Sequence, residues 1–189
     1  MIPSKDEINR ALFGVWLLAK RDRRGMAWLD LTVEGFWKSF FAMAVAAPTY
    51  VLLVIDRYLT EGLPGALGLV AVSEAVGYVV GWLAFPIAAI FITRHLGLGA
   101  RYVPLIVAAN WGAVLQITFF MVARLTAGFL PAPVGGVIMV VATFVVLTYQ
   151  WFVILVALET TPGTAAALVA IDVLLSSLVS LGVEKLLLG

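Results

Sequence analysis

Five apolar stretches, each long enough to cross a bilayer, occupy most of this 189-residue chain. A helix needs about 20 mainly apolar residues to cross the hydrocarbon core, because the core is about 30 Å thick and each residue adds about 1.5 Å. Hydrophobic residues make up 63% of the chain and charged residues only 12%. The sequence therefore predicts an integral membrane protein. The predicted spans are residues 36–55, 66–92, 102–122, 134–158 and 164–183.

The apolar stretches have the pattern of helices and not of barrel strands. Backbone polar groups in lipid must find partners within the protein, so a chain crosses a membrane as helices or as a closed barrel. Barrel strands alternate in polarity over about 10 residues, whereas residues 134–146 are apolar without alternation. We predict an all-α fold, a polytopic bundle of five transmembrane helices formed by residues 31–189. The connections between spans are too short to hold a soluble catalytic domain.

Residues 1–30 are predicted to form a cytoplasmic segment with an amphipathic helix over residues 4–22. Ser4 is a suitable N-cap. Apolar side chains repeat at helical spacing, and basic residues surround them, which is typical of a helix that lies on the lipid surface. The alternative is a helix packed on the cytoplasmic ends of the bundle. We expect the segment to be retained, because residues 20–24 are charged where a signal peptidase would need small neutral residues.

The basic residues are distributed unevenly between the two sides of a five-span chain. The N-terminal side carries eight of them: Lys5, Arg10, Lys20, Arg21, Arg23, Arg24, Arg94 and Arg101. The opposite side carries three: Arg57, Arg124 and Lys185. Cytoplasmic segments carry the excess of Lys and Arg. The distribution predicts a multi-pass protein of the bacterial inner (plasma) membrane, with a cytoplasmic N-terminus and a C-terminus outside.

Anionic lipid headgroups are the expected partners of the basic residues nearest the cytoplasmic surface, since each such residue adds attraction to that surface. These residues are Lys20, Arg21, Arg23, Arg24, Arg94 and Arg101. The single histidine, His95, cannot build a zinc site in a chain without cysteine. No nucleophile–base pair or nucleotide-binding motif is present. We therefore expect no enzyme, no cofactor, no metal site and no nucleic-acid partner.

Glu74 is one of two acidic residues deep within the apolar stretches. An ionisable group at mid-bilayer costs about 2.5–3.5 kcal/mol or more, so it should face protein or water and indicates a site. Gly77 and Gly81 follow it on the same helical face and form a GxxxG motif. Such a motif permits another helix to approach closely. We expect Glu74 to point into a tight helix–helix contact made by these glycines.

Asp172 is the second deep acidic residue, and it begins a polar stripe that continues with Ser176 and Ser180. Asn110, Gln150 and Asp172 each lie about 12 Å from the cytoplasmic end of their spans, at 1.5 Å per residue. Three polar side chains from three helices are thus predicted at one level. They form either a protonatable or cation-coordinating site, since carboxyl groups in lipid can carry protons, or hydrogen bonds that fix the bundle.

The five-span architecture with a cytoplasmic amphipathic segment resembles the Yip (Ypt/Rab-interacting protein) family. The pattern from Tyr149-Gln150-Trp151 through Val153-Ile154-Leu155, then Gly163 and residues 165–170, is similar to that family's last two spans. Asp30-Leu31 is similar to the start of its first span, although Thr32-Val33-Glu34-Gly35 lacks the expected Gly-Pro. The third span reads Val103-Pro104-Leu105 and lacks the family's aromatic-Gly-Tyr pattern. The resemblance implies an interaction or membrane-organising protein, and no functional residue carries over.

Two functions remain open from the sequence. The first is a membrane protein of interaction or membrane-organising type, which binds copies of itself or another membrane protein, because no catalytic group is found and the GxxxG motif offers a contact surface. The second is a small proton- or cation-linked transporter or channel that uses Asp172.

Overall fold

The computed structural model describes residues 2–187, in which seven α-helices follow one another. The helices are α1 (Lys5–Ala19), α2 (Val33–Ser39), α3 (Phe41–Glu61), α4 (Leu67–His95), α5 (Tyr102–Gly128), α6 (Ala132–Leu158) and α7 (Pro162–Leu187). Short 3-10 turns cover Arg23–Trp28 and Gly99–Arg101. Ser4 caps α1 as predicted: its side chain accepts a hydrogen bond from the Glu7 amide, and the Glu7 carboxylate accepts one from the Ser4 amide.

Five helical segments are long and apolar enough to cross a membrane, which confirms the predicted fold class. They are Val33–Glu61, Leu67–His95, Gly99–Gly128, Ala132–Leu158 and Pro162–Lys185. The first joins α2 and α3, which meet at Phe40. The helices extend beyond most of the predicted stretches, because α3 continues through Arg57 and α5 continues through Arg124. These two arginines therefore lie within helices and not in the connections.

The core is concentrated in the half of the bundle that lies next to α1. Helix α5 is central and buries Leu105, Ile106, Val107 and Ala108 completely. The end of α6 adds residues 152–154 and 156–158, and α7 adds Leu168. Beyond this region the spans expose large apolar side chains outward, as expected for surfaces that face lipid. The other half of the bundle is packed more loosely around a cavity.

The sequence left two placements open for helix α1, on the lipid surface or packed on the bundle. In the structure, one face of α1 packs on the bundle. Val15 and Leu18 are fully buried in the same apolar cluster as α5 and α6. The Tyr149 hydroxyl of α6 donates to the Val15 carbonyl at 3.3 Å. Phe13 and Trp16 remain about two-fifths exposed. Helix α1 and the turn Arg23–Trp28 are therefore joined to the membrane bundle through a shared core, and the exposed aromatic face of α1 is available to lipid.

Ion pairs connect helices at both ends of the bundle. Lys38 of α2 pairs with Glu34 one turn earlier and with Glu7 of α1, each at 2.7 Å. Arg101, before α5, pairs with Glu159, after α6. At the opposite end, the Arg124 Nε of α5 lies 2.6 Å from the Asp56 carboxylate of α3. A separate pair joins Arg57 to Glu74. Each of these charged residues thus has a partner of opposite charge within the chain.

Candidate functional site

A cavity of about 1050 Å³ lies within the bundle and is lined by all five spans. Each span contributes at least one polar side chain: Tyr50 from α3, Glu74 from α4, Gln116 from α5, Gln150 from α6 and Asp172 from α7. The lining includes residues 61–64, where α3 connects to α4, and Glu184 near the end of α7. It extends as far as Pro86 and Asn110. The cavity thus runs from the side of the α3–α4 connection to the packed half of the core.

Asp172 lies in the wall of this cavity and is hydrogen-bonded by the Gln150 amide. The two residues were predicted at one level, and the structure brings them into contact. No ion pair of the described side chains includes Asp172. The carboxyl group therefore has a neutral hydrogen-bond donor and faces a cavity large enough to hold water or a ligand.

The polar stripe of α7 faces the same cavity. Asp172, Ser176, Ser180 and Glu184 are spaced four residues apart and all belong to the lining. Residues four apart lie on one face of a helix, and each step rises about 6 Å. Ser177, which follows Ser176, does not belong to the lining, and its hydroxyl donates to the Val173 carbonyl. The stripe forms a row of polar groups from Glu184 to Asp172.

Asn110 joins a different contact from the one predicted. Its side-chain amide donates to the Ser39 hydroxyl of α2 at 2.9 Å, and both residues are buried. Ser39 in turn donates to the Phe36 carbonyl at 2.7 Å. Asn110 belongs to the cavity lining but has the role of an interhelical tie between α5 and the first span. The predicted level of three polar groups is thus a Gln150–Asp172 pair with Asn110 bonded elsewhere.

Glu74 is held by three side chains of α3. The Tyr50 and Tyr58 hydroxyls each donate to its carboxylate at 2.6 Å, and Arg57 forms an ion pair with it. All four residues line the cavity. The Glu74 charge is neutralised and hydrogen-bonded, so the residue connects α3 to α4 at the cavity wall. Glu74 and Asp172 lie in one cavity, and the described side chains show no contact between them.

The partners of Glu74 were not predicted from the sequence. Arg57 and Tyr58 were assigned to the connection after the first span, whereas α3 continues to Glu61. Arg57 lies four residues before the end of α3, and Glu74 lies seven residues after the start of α4. Once α3 is extended to Glu61, Arg57 and Glu74 lie about 6 Å and about 10 Å from the shared end of the two helices, at 1.5 Å per residue, which the long arginine side chain can bridge.

Gly77 and Gly81 do not form the close helix contact that was expected beside Glu74. Both belong to the cavity wall. A Cβ atom on Gly77 would come no closer than 3.8 Å to Val183, and one on Gly81 would meet nothing within 4 Å. Within residues 2–187, these glycines therefore widen the cavity and do not bring two backbones together. A contact of the motif with another chain stays a prediction.

Three of the six candidate headgroup residues bind other parts of the chain. Arg21 donates to the Thr148 carbonyl at 2.8 Å and lies over the Phe152 ring, Arg24 pairs with Asp22, and Arg101 pairs with Glu159. The others, Lys20, Arg23 and Arg94, are exposed, and the Lys20 ammonium also covers the Trp16 ring at 3.5 Å. Contact of these residues with lipid stays a prediction.

The structure contains no group of His, Cys, Asp or Glu side chains with the arrangement of a metal site in the part of the chain that it describes. Comparisons of the chain with protein-family models, with curated proteins and with solved structures find no match. Any function must therefore be argued from the cavity and from the residues that line it.

Proposed function

We propose that this membrane protein is a small transporter or channel linked to protons or cations, in which Asp172 is the intramembrane carrier. The observation that carries the proposal is the position of Asp172, which faces a cavity lined by all five spans and has Gln150 as its hydrogen-bond partner. An ionisable group inside a membrane domain that lines an open cavity is typical of an ion or proton pathway. The cavity thus gives Asp172 access to solvent and to a transported ion.

The α7 stripe supports a route to Asp172. Ser176 and Ser180 place hydroxyl groups between Glu184 and Asp172 along the cavity wall. Hydroxyl groups both donate and accept hydrogen bonds, so they can hold a chain of water molecules or contact a partly dehydrated cation. The stripe spans about 18 Å of the helix axis at 1.5 Å per residue. A proton or cation would enter near Glu184 and reach the carboxyl group along this row.

The charge of the cavity lining favours cations. Four carboxylates belong to the lining, those of Glu61, Glu74, Asp172 and Glu184, against the single guanidinium of Arg57. Clefts lined by one sign of charge concentrate ions of the opposite sign. Arg57 is already paired with Glu74, which leaves negative charge along the route to Asp172. The lining would therefore attract cations and repel anions.

The opposite end of the bundle is closed by packed side chains. Leu105 and Leu158 are fully buried there, in the same apolar cluster as Leu18 of α1. The uneven distribution of Lys and Arg predicts that this closed end faces the cytoplasm. We therefore infer that the cavity faces outward, in the inner membrane of a bacterium, and that transport requires the packed end to open.

An interaction or membrane-organising role is the other function that the sequence indicates. It depends on the GxxxG surface, which here borders the cavity. The geometry supports transport better, because a cavity containing an intramembrane carboxyl group has no part in simple helix association.

The proposal is tested by flux in liposomes that contain the purified chain. We expect proton- or cation-dependent flux that Asp172→Asn abolishes, because the amide cannot carry the proton or the negative charge. Asp6→Asn is the matched control, since it makes the same substitution outside the cavity lining and breaks no ion pair of the described side chains, and it should leave flux unchanged. Flux no greater than in empty vesicles across a panel of ions and pH gradients would contradict the proposal, as would normal flux in Asp172→Asn.

A further inference from the structure

Aromatic side chains of α3 and α4 form one wall of the cavity. The Tyr50 and Tyr78 rings are stacked, with centroids 4.4 Å apart. Trp82 meets Tyr78 edge-on at 6.1 Å, one turn along α4. The Tyr78 hydroxyl is fixed by donation to the Met43 carbonyl at 2.6 Å. All three rings belong to the cavity lining, so the cavity has a rigid aromatic surface that a bare ion does not require.

The volume of the cavity also exceeds what a bare ion needs. About 1050 Å³ lies at the upper end of the range for sites that bind drug-sized molecules. Such sites combine apolar and aromatic walls with a few polar groups that fix the orientation of the ligand. In this cavity, the charged groups are four carboxylates and one guanidinium.

The two deep carboxylates differ in how they are neutralised. Glu74 has the Arg57 guanidinium and two tyrosine hydroxyls. Asp172 has the Gln150 amide, and no described side chain forms an ion pair with it. A cationic ligand would therefore find its counter-charge at Asp172. Aromatic rings attract cations through their negative faces, most strongly when water is excluded.

We propose that the ligand of this cavity is an organic cation: an amine, quaternary ammonium or phosphonium group that carries an apolar or aromatic body. Its charge is balanced by Asp172, and its body packs against Tyr78 and Trp82. The inference rests on the proposed function, because it names the substrate class of the same cavity. It differs from that function in one measurable respect, since binding of the organic cation does not require flux.

The test is equilibrium binding of tetraphenylphosphonium to the purified full-length chain in detergent. Tetraphenylborate is the matched probe, because it has the same shape and the opposite charge. We expect the phosphonium to bind at least about tenfold more tightly than the borate, since a desolvated charge pair discriminates strongly by sign. Asp172→Asn should weaken phosphonium binding roughly tenfold or more, and Asp172→Glu, which keeps the charge, should retain most of it.

A second pair of variants tests the aromatic wall. Trp82→Leu should weaken phosphonium binding roughly fivefold, because a cation–π contact is lost while an apolar surface remains. Trp37→Leu removes an exposed ring outside the cavity and should leave binding unchanged. Thermal unfolding of each variant shows that it is folded before its binding is interpreted. If Asp172→Asn fails to fold, phosphonium binding by Asp172→Glu and Trp82→Leu still tests the inference.

Each outcome bears on the inference separately from the proposed function. Equal binding of the phosphonium and the borate, or binding that Asp172→Asn and Trp82→Leu leave unchanged, would overturn the inference and indicate an apolar occupant such as a lipid tail. Proton or inorganic cation flux that depends on Asp172, without phosphonium binding, would also overturn it while supporting the proposed function. Asp172-dependent phosphonium binding without any flux would support the inference and contradict transport.

Discussion

Glu7 connects the N-terminal helix to the first membrane span through its carboxylate. One carboxylate oxygen accepts a hydrogen bond from the Ser4 amide at 2.6 Å, and the other lies 2.7 Å from the Lys38 ammonium. The hydrogen bond from Lys38, followed by those at Ser4, lowers the pKa of Glu7 from its ordinary value of 4.5 to about 2. Because the folded-state pKa is lowered, the stabilisation is complete above about pH 4.5 and is lost as the pH falls towards 2.

We therefore predict that the junction between α1 and the bundle weakens in acid, and that Glu7→Gln removes this part of the pH dependence. The measurement is the thermal unfolding temperature in detergent at about pH 6 and about pH 3, compared between wild type and variant. Asp6→Asn, in the same first turn but without an ion pair among the described side chains, is the control. An equal acid shift in wild type and Glu7→Gln would exclude this role.

Individual charged residues are easiest to single out from the sequence where the membrane makes charge costly. Glu74 and Asp172 are exceptional within apolar stretches, so composition alone identified them as site candidates, and helical depth paired Asp172 with Gln150. Arg57 was missed because a charged residue near the end of a span looks like part of the connection. Whether it lies in the helix depends on its pairing with Glu74, which is a tertiary contact.

At the scale of elements, α1 and the turn Arg23–Trp28 are joined by contact between two glycines. A Cβ atom on Gly25 would lie 2.3 Å from the Gly14 carbonyl oxygen and 2.8 Å from Leu18 Cγ. No side chain fits there without moving the backbone. We predict that Gly25→Ala separates the turn from α1 at a cost on the order of 1–3 kcal/mol or more, as is typical of overpacking.

The matched control for Gly25→Ala is Gly99→Ala. Gly99 lies in the other 3-10 turn, and a Cβ atom there would meet nothing within 4 Å. The measurements are thermal unfolding and hydrogen exchange of the α1 amides, which should become faster in Gly25→Ala alone. Unchanged exchange in that variant would mean that the glycine contact does not hold the turn.

The elements themselves were predictable to within a turn or two, because hydropathy identifies spans by length. Their packing was not. The apolar face of α1 fits a lipid surface and a protein surface equally well, and the structure places Val15 and Leu18 in the bundle core. The hydropathy of a glycine does not indicate what surrounds it. The sequence therefore could not predict that Gly14 contacts Gly25 or that Gly81 has open space beside it. The cavity could not be predicted either, because its position and volume depend on how all five spans pack against one another.

At the scale of the whole molecule, we expect an odd number of spans to separate the two ends of the chain across the membrane, and the cavity lies on the side of the α3–α4 connection. The chain has no cysteine, so a single introduced thiol reports its own surroundings. We predict that Ser180→Cys, in the cavity lining, reacts with a membrane-impermeant maleimide added outside cells. Ser177→Cys, which lies off the lining, should react much more slowly because lipid covers it.

Terminal reporter fusions check the same topology independently. A reporter active only in cytoplasm should function at the N-terminus, and one active only beyond the membrane should function at the C-terminus. Both termini in the cytoplasm, or labelling of Ser180→Cys from the cytoplasmic side alone, would contradict the proposed orientation.

The Arg57–Glu74 pair has a consequence for how the chain enters the membrane during synthesis. The two residues lie on consecutive spans, and the connection between α3 and α4 is only residues 62–66. A nascent α4 that partitioned alone would carry an uncompensated carboxylate into lipid, at about 2.5–3.5 kcal/mol. A helical hairpin of α3 and α4 brings the guanidinium and two hydroxyls to that carboxylate before it leaves the translocon. The pair that lines the cavity in the folded protein thus favours insertion of the first two spans as one unit.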